Sequence, residues 1–166
     1  MREHTHPHRR AVLVGLIGFG AMAGSALAAP AQRVRAVRVD AAPLAAKGVS
    51  RYAARVAAAA EPAMRAQFAG LMTADRRAPT AVLQISSISL SSNPGRSFRM
   101  LDGEDDWISG AGLLVGPNGA VLRRVPLSIS NRGVNGPPVM LLQDEDRRMH
   151  ELVDKMAYWF ARELTD

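Results

Sequence analysis

No cysteine occurs anywhere in this chain of 166 residues, and that absence decides how its fold must be held. Without disulfides, a domain of this size is stabilised by a hydrophobic core alone, and thiol catalysis and cysteine-ligated zinc are excluded with it. The constraint bites harder because the first residues predict export. Arg9 and Arg10 close a basic start, residues 11–24 form an uncharged apolar run, and Ala26-Leu27-Ala28 supplies the small-x-small pattern of signal cleavage. The expectation is a signal peptide over residues 1–28, cleaved after Ala28, and a single periplasmic or secreted domain over residues 29–166. His8-Arg9-Arg10-Ala11-Val12-Leu13 fits a twin-arginine signal as well as an ordinary basic start for the general export channel. The apolar run is shorter than the ~20 residues a permanent span needs, and no later segment approaches that, so no transmembrane helix is expected in the mature protein.

Histidine is nearly as restrictive as cysteine. His4, His6 and His8 lie in the signal, which leaves His150 as the single imidazole of the predicted mature domain. A Ser-His-Asp triad would have to use it as base, and a zinc site would have to combine it with carboxylates. The chain carries a formal net charge of +6 at pH 7, a mild basic balance. No cofactor and no structural metal are expected, and nucleic acid is not an expected partner of an exported domain with few aromatics beside its arginines.

Hydrophobic spacing along residues 29–166 predicts the elements. Val34, Val37 and Val39 make a short β signal whose alternation slips between Ala36 and Val37, as an edge strand or a bulge would. Residues 40–48 read as a connection. Val49, Tyr52, Val56, Ala60, Met64, Phe68 and Leu71 then recur every three or four residues among many alanines, a helical pattern that Pro62 either kinks or restarts. Residues 81–92 are the clearest strand, with a phase change at Ser86-Ser87 that predicts a bulge, and Asn93-Pro94-Gly95 ends it as a turn. Two apolar runs, residues 107–115 and 120–129, flank Gly116-Pro117-Asn118-Gly119 as the arms of a hairpin, and Pro126 assigns the second arm to a sheet edge or a bulge. Residues 131–142, with Pro137-Pro138, read as a mobile surface loop. Asp144 is the expected N-cap of a final helix, on which Met149, Leu152, Val153, Met156, Ala157, Phe160 and Leu164 fall within one arc of roughly 140°.

The order is β-α-β-β-β-α, which predicts an α+β fold: a small mixed sheet with two main helices packed on one face. This layout, with a strand ending in serines, an Asp106-Trp107-Ile108-Ser109-Gly110 entry to the Gly-Pro-Asn-Gly hairpin and a final arginine-bearing helix, resembles small bacterial envelope accessory proteins. The two groups it resembles are the lipopolysaccharide-assembly lipoproteins and the auxiliary lipoproteins of transport systems, over about residues 33–166. The resemblance implies an accessory role in the cell envelope. The chain departs from both groups in lacking the cysteine that would carry a lipid anchor.

Few residues stand out as chemistry. Asp102-Gly103-Glu104-Asp105-Asp106 is the densest acidic cluster, but Trp107 and Leu113 occupy the positions where an EF-hand needs glycine and glutamate. A looser calcium site, or a carboxylate pair for hydrolysis, is the alternative to a solvated loop leading into a strand. Neither the serines of residues 86–92 nor Ser109 lies in a nucleophile elbow, and Gly110-Ala111-Gly112 opens no dinucleotide-binding helix; these glycines predict a bend or close packing. Arg51, Arg55 and Arg65 share the outer side of the first long helix and, with Arg33, Arg35 and Arg38 near in sequence, are candidates for contact with an acidic partner. Tyr158 points about 180° away from the apolar centre of the last helix, as an interface anchor would. The sequence therefore predicts an exported, non-enzymatic envelope accessory protein that binds a protein or an anionic glycolipid through Arg51, Arg55, Arg65 and Tyr158. A periplasmic carboxylate-based hydrolase is the alternative.

Overall fold

The computed structural model describes residues 32–90, 105–131 and 138–166. The predicted signal peptide, the Asn93-Pro94-Gly95 turn and residues 102–104 of the acidic cluster lie outside the described residues. Within them the order is β1 (Ala36–Asp40), α1 (Ala42–Ala45), α2 (Ser50–Phe68), a 3-10 turn (Ala69–Leu71), β2 (Thr80–Ser89), β3 (Asp106–Val115), β4 (Val121–Asn131) and α3 (Pro138–Arg162). The four strands form one sheet in the order β1-β2-β3-β4. β1 and β2 are parallel, with α2 on the crossover between them, and the other two pairings are antiparallel. This is the α+β, β-α-β-β-β-α mixed sheet that the hydrophobic spacing predicts.

Alternation sorts the sheet into two faces. Ala81, Leu83 and Ile85 of β2, Ile108 and Leu114 of β3, and Val125 and Leu127 of β4 share one buried face with the apolar sides of both long helices. On α2 those positions are Val56, Ala60, Met64 and Phe68, with Ala53, Ala59 and Ala63 buried beside them, and the small alanine side chains let the helix lie close to its neighbours. All seven residues of the predicted α3 arc are buried. Phe68 and Phe160 meet edge to face at the centre, 5.2 Å between ring centroids, a geometry that adds to their apolar burial. Pro62 neither ends α2 nor restarts it: the helix runs through it, with the proline on the exposed side.

Both edges of the sheet are where the sequence puts them. β1 and β4 are the outer strands, and Pro126, which has no N–H to give a ladder, sits in β4. The β2 bulge falls between Ile85 and Ser87, where the Ser86 hydroxyl donates to the Ser109 carbonyl at 3.2 Å. Close packing accounts for the β3 glycines. A Cβ on Gly112 would sit 2.2 Å from the Phe160 ring, and one on Gly110 would sit 1.9 Å from the Gln84 carbonyl oxygen.

Two expectations need correction. Residues 40–48 are not a bare connection, because Asp40 accepts the Ala42 N–H at 2.9 Å and starts the short helix α1, whose Leu44 is buried. The final helix begins at Pro138, well before Asp144, since proline is well suited to a first helical turn. Asp144 is therefore an interior helical residue, and its carboxylate takes a hydrogen bond from Arg147 that holds its pKa below the usual range.

Candidate functional site

The described end of the acidic cluster runs from loop into strand. Asp105 is exposed, but Asp106 is the first residue of β3 and is 2% exposed. Its alternation with Ile108 turns it inward, toward α3. There Arg148, also 2% exposed, donates from Nε to Oδ2 at 2.7 Å and from Nη2 to Oδ1. The two-pronged pair matches the planar fork of a guanidinium to the two oxygens of a carboxylate. Asp106 is thus committed to joining sheet and helix. A group of three or more histidine, aspartate and glutamate side chains able to hold a metal is not found among the described residues.

Helical angle does not announce Arg148, which at 100° per residue lies about 40° outside the apolar arc; its burial follows from β3 lying beside α3 and bringing Asp106 to it. Around it, Arg55 of α2 reaches Glu145 at 3.3 Å and Asp146 at 2.7 Å on α3, and its guanidinium lies 5.6 Å from the centre of the Tyr52 ring. Burial raises the Tyr52 hydroxyl above its ordinary pKa of 10.0, with Glu145 adding to the shift and Arg55 opposing it. The unfolded chain then releases this proton first. Stability is expected to be complete below about pH 10 and to fall as pH rises through the folded value. Urea unfolding from neutral to alkaline pH checks this: Tyr52→Phe should remove that part of the decline, and an identical profile would show that Tyr52 does not contribute.

The predicted arginine stripe is exposed throughout, yet its members point to different neighbours. Arg55 turns toward α3. Arg65 pairs with Glu61 at 2.8 Å and lines a cleft of about 210 Å³ with Val37, Arg38, Val39, Glu61 and Met64, at the opposite side of α2. Arg51 is exposed in the first turn. Arg33 donates to the Gly70 carbonyl at 3.0 Å and Arg35 to the Thr80 hydroxyl at 3.3 Å, so both help close the chain between β1 and the start of β2. Tyr158 is on α3, away from all of these.

Tyr158 has a companion in Trp159, which is not among the sequence-predicted site residues. Trp159 is exposed to the same degree, 44%, and the two rings meet edge to face with centroids 5.5 Å apart. The Arg162 guanidinium lies 5.3 Å from the centre of the Trp159 ring and also reaches Asp166 at 3.3 Å. Neighbouring ties locate the patch on the β4 side of α3: Lys155 donates to Asn131, and Arg123 pairs with Glu163 at 3.3 Å. Trp159 lies between Lys155 and Glu163 along that side of the helix. The signal was present in the sequence, since Trp159 lies outside the seven-residue apolar arc and three residues before Arg162.

On the sheet face turned away from the long helices, register places Arg38, Val82, Leu113 and Arg124 in one row across the four strands; Leu113 is buried there, and Trp107, further along β3, is 40% exposed. No helix among the described residues is long and apolar enough to cross a membrane.

No family model matches the chain, and no curated protein matches it. Among solved structures it is similar to a minor lipoprotein from Acinetobacter baumannii, at 12% identity and a TM-score of 0.47, over 81% of this chain and 93% of that one.

Proposed function

We propose that this chain is an exported, non-enzymatic accessory protein of the bacterial cell envelope that works by binding a partner, a protein or an anionic glycolipid. The observation that carries the reading is the Tyr158–Trp159 pair. Two adjacent large aromatics, each 44% exposed and stiffened by ring contact and by Arg162, contribute little to the core of their own protein. They offer broad apolar area at low entropic cost, which is how interface anchors work. Export rests on the basic start, apolar run and cleavage pattern of residues 1–28. Arg51, Arg55 and Arg65 extend the proposed contact surface across the helical layer, although Arg55 would first have to give up its acidic neighbours on α3.

Tyr158→Ala and Trp159→Ala test this directly. Each should change unfolding free energy by no more than ~0.5 kcal/mol, because neither ring is in the core. Capture of the partner, from envelope extract or as glycolipid vesicles, should weaken by more than ~1 kcal/mol for at least one of them. Stable variants that retain full capture of both kinds would remove the patch from the proposal.

A further inference from the structure

The outer side of β1 is a strand edge that the chain itself begins to pair and then leaves. Val34 bridges Met72 in parallel, its N–H donating to the Leu71 carbonyl and its carbonyl accepting the Thr73 N–H, each at 2.9 Å. On the other side Arg35 donates to Pro79. Beyond this single bridge the segment turns away toward β2. Among the described residues, β1 from Ala36 to Asp40 has a strand neighbour on one side alone. Such an edge presents a row of backbone donors and acceptors ready for another strand.

The cleft of about 210 Å³ lies along that edge, beneath α2. Val37, Val39 and Met64 give it an apolar floor on the helix side, and Arg65 stands above it. Arg38 leaves the strand on the opposite face, in the row with Val82. A strand laid here would alternate its own side chains between Arg65 and Arg38. Arg33 and Arg35 add positive charge at the start of the edge, and the one acid in the cleft lining, Glu61, already faces Arg65. That pair is exposed on both sides, so its mutual hold is weak.

We propose that the β1 edge accepts an extended acidic segment of a partner protein as an added strand. Backbone pairing with Ala36–Asp40 would give affinity, and carboxylates on alternate faces of the segment would meet Arg65 and Arg38, the division of labour of strand addition. A second copy of β1 fits poorly, because antiparallel pairing centred on Arg38 would set the two guanidinium groups directly opposite each other. A phosphate-bearing surface does not fit either: it could satisfy the edge's N–H groups and arginines, but it has no donors for the edge's carbonyls. The inference rests on the reading of the chain as a binding protein, but it uses a different surface from Tyr158 and Trp159.

The test is a titration of the exported protein with a fluorescein-labelled peptide of repeating Glu-Glu-Val-Val, which puts carboxylates on both faces of an added strand. Three controls accompany it: the same peptide with lysine for glutamate, the same peptide N-methylated along one backbone edge, and Trp159→Ala protein. Binding should be at least about tenfold weaker for either altered peptide, and for Arg38→Glu or Arg65→Glu protein, while Trp159→Ala leaves it unchanged. Amides within Ala36–Asp40 should gain hydrogen-exchange protection in the complex. Lack of binding up to about 1 mM, equal binding of the N-methylated peptide, or protection confined to other strands would each overturn the proposal. Loss of capture in Tyr158→Ala or Trp159→Ala concerns the α3 patch alone, so the two readings fail separately.

Discussion

Asp106→Ala is expected to destabilise the protein by about 3–5 kcal/mol, the cost of leaving a buried charge without its counterpart. The buried guanidinium of Arg148 would lose both of the hydrogen bonds it makes to that carboxylate. Water cannot readily replace them at a site where both residues are 2% exposed. Arg148→Ala should cost a similar amount by taking the paired guanidinium from the buried carboxylate instead. The informative case is the pair: Asp106→Leu with Arg148→Met removes both charges and keeps apolar volume, and it should recover most of the loss, because a buried ion pair adds little over packed hydrocarbon. Urea unfolding of the three variants measures this. Single substitutions costing less than about 1 kcal/mol would mean that the pair is hydrated and does not join β3 to α3.

The second large effect lies at the aromatic centre of the core. Phe160→Ala should cost about 3–5 kcal/mol, since the ring is fully buried and contacts Phe68 edge to face. Gly112→Ala should cost about 1–3 kcal/mol for the opposite reason, as its new methyl would sit 2.2–2.6 Å from three carbons of the Phe160 ring. These two effects must be coupled. In a Phe160→Leu background Gly112→Ala should be markedly less damaging, because the obstacle has gone. Gly110→Ala should show no such rescue, its obstacle being the Gln84 carbonyl of the neighbouring strand. Thermal or urea unfolding of the double-mutant cycle settles the matter, and strict additivity at Gly112 and Phe160 would contradict the packing described.

Local pattern carried most of the fold because each element states its burial in its own period. The α3 arc, the hairpin around Gly116-Pro117-Asn118-Gly119, the bulge at Ser86-Ser87 and the edge position implied by Pro126 are all decided by neighbours within a few residues. What was not legible depends on contacts distant in sequence. Asp106 reads as one more acid in a polar run until β3 is aligned and Arg148 is found 42 residues away. Likewise, the shared outer side of Arg51, Arg55 and Arg65 is a property of one helix, whereas the acids that Arg55 meets on α3 and the cleft that Arg65 shares with β1 are set by the fold. The start of α3 is ambiguous in sequence for a local reason: Pro137-Pro138 signals a break equally well as the end of a loop or the first turn of a helix. Trp159 is hard to place from sequence because an apolar residue inside a helix with a broad buried arc reads as core, and only the angle separates the two.

The central claim is that α3 meets a partner through Tyr158 and Trp159, and site-specific photo-crosslinking in the native host tests it most directly. A photoreactive phenylalanine analogue would replace Tyr158 or Trp159 in turn, with Ala54 and Gln67, exposed on α2, as control positions. The account predicts one defined adduct from positions 158 and 159, a protein or a glycolipid of the envelope, with little or none from the controls. Contrary results would be no adduct from either aromatic position, or the same adducts in the same yield from all four.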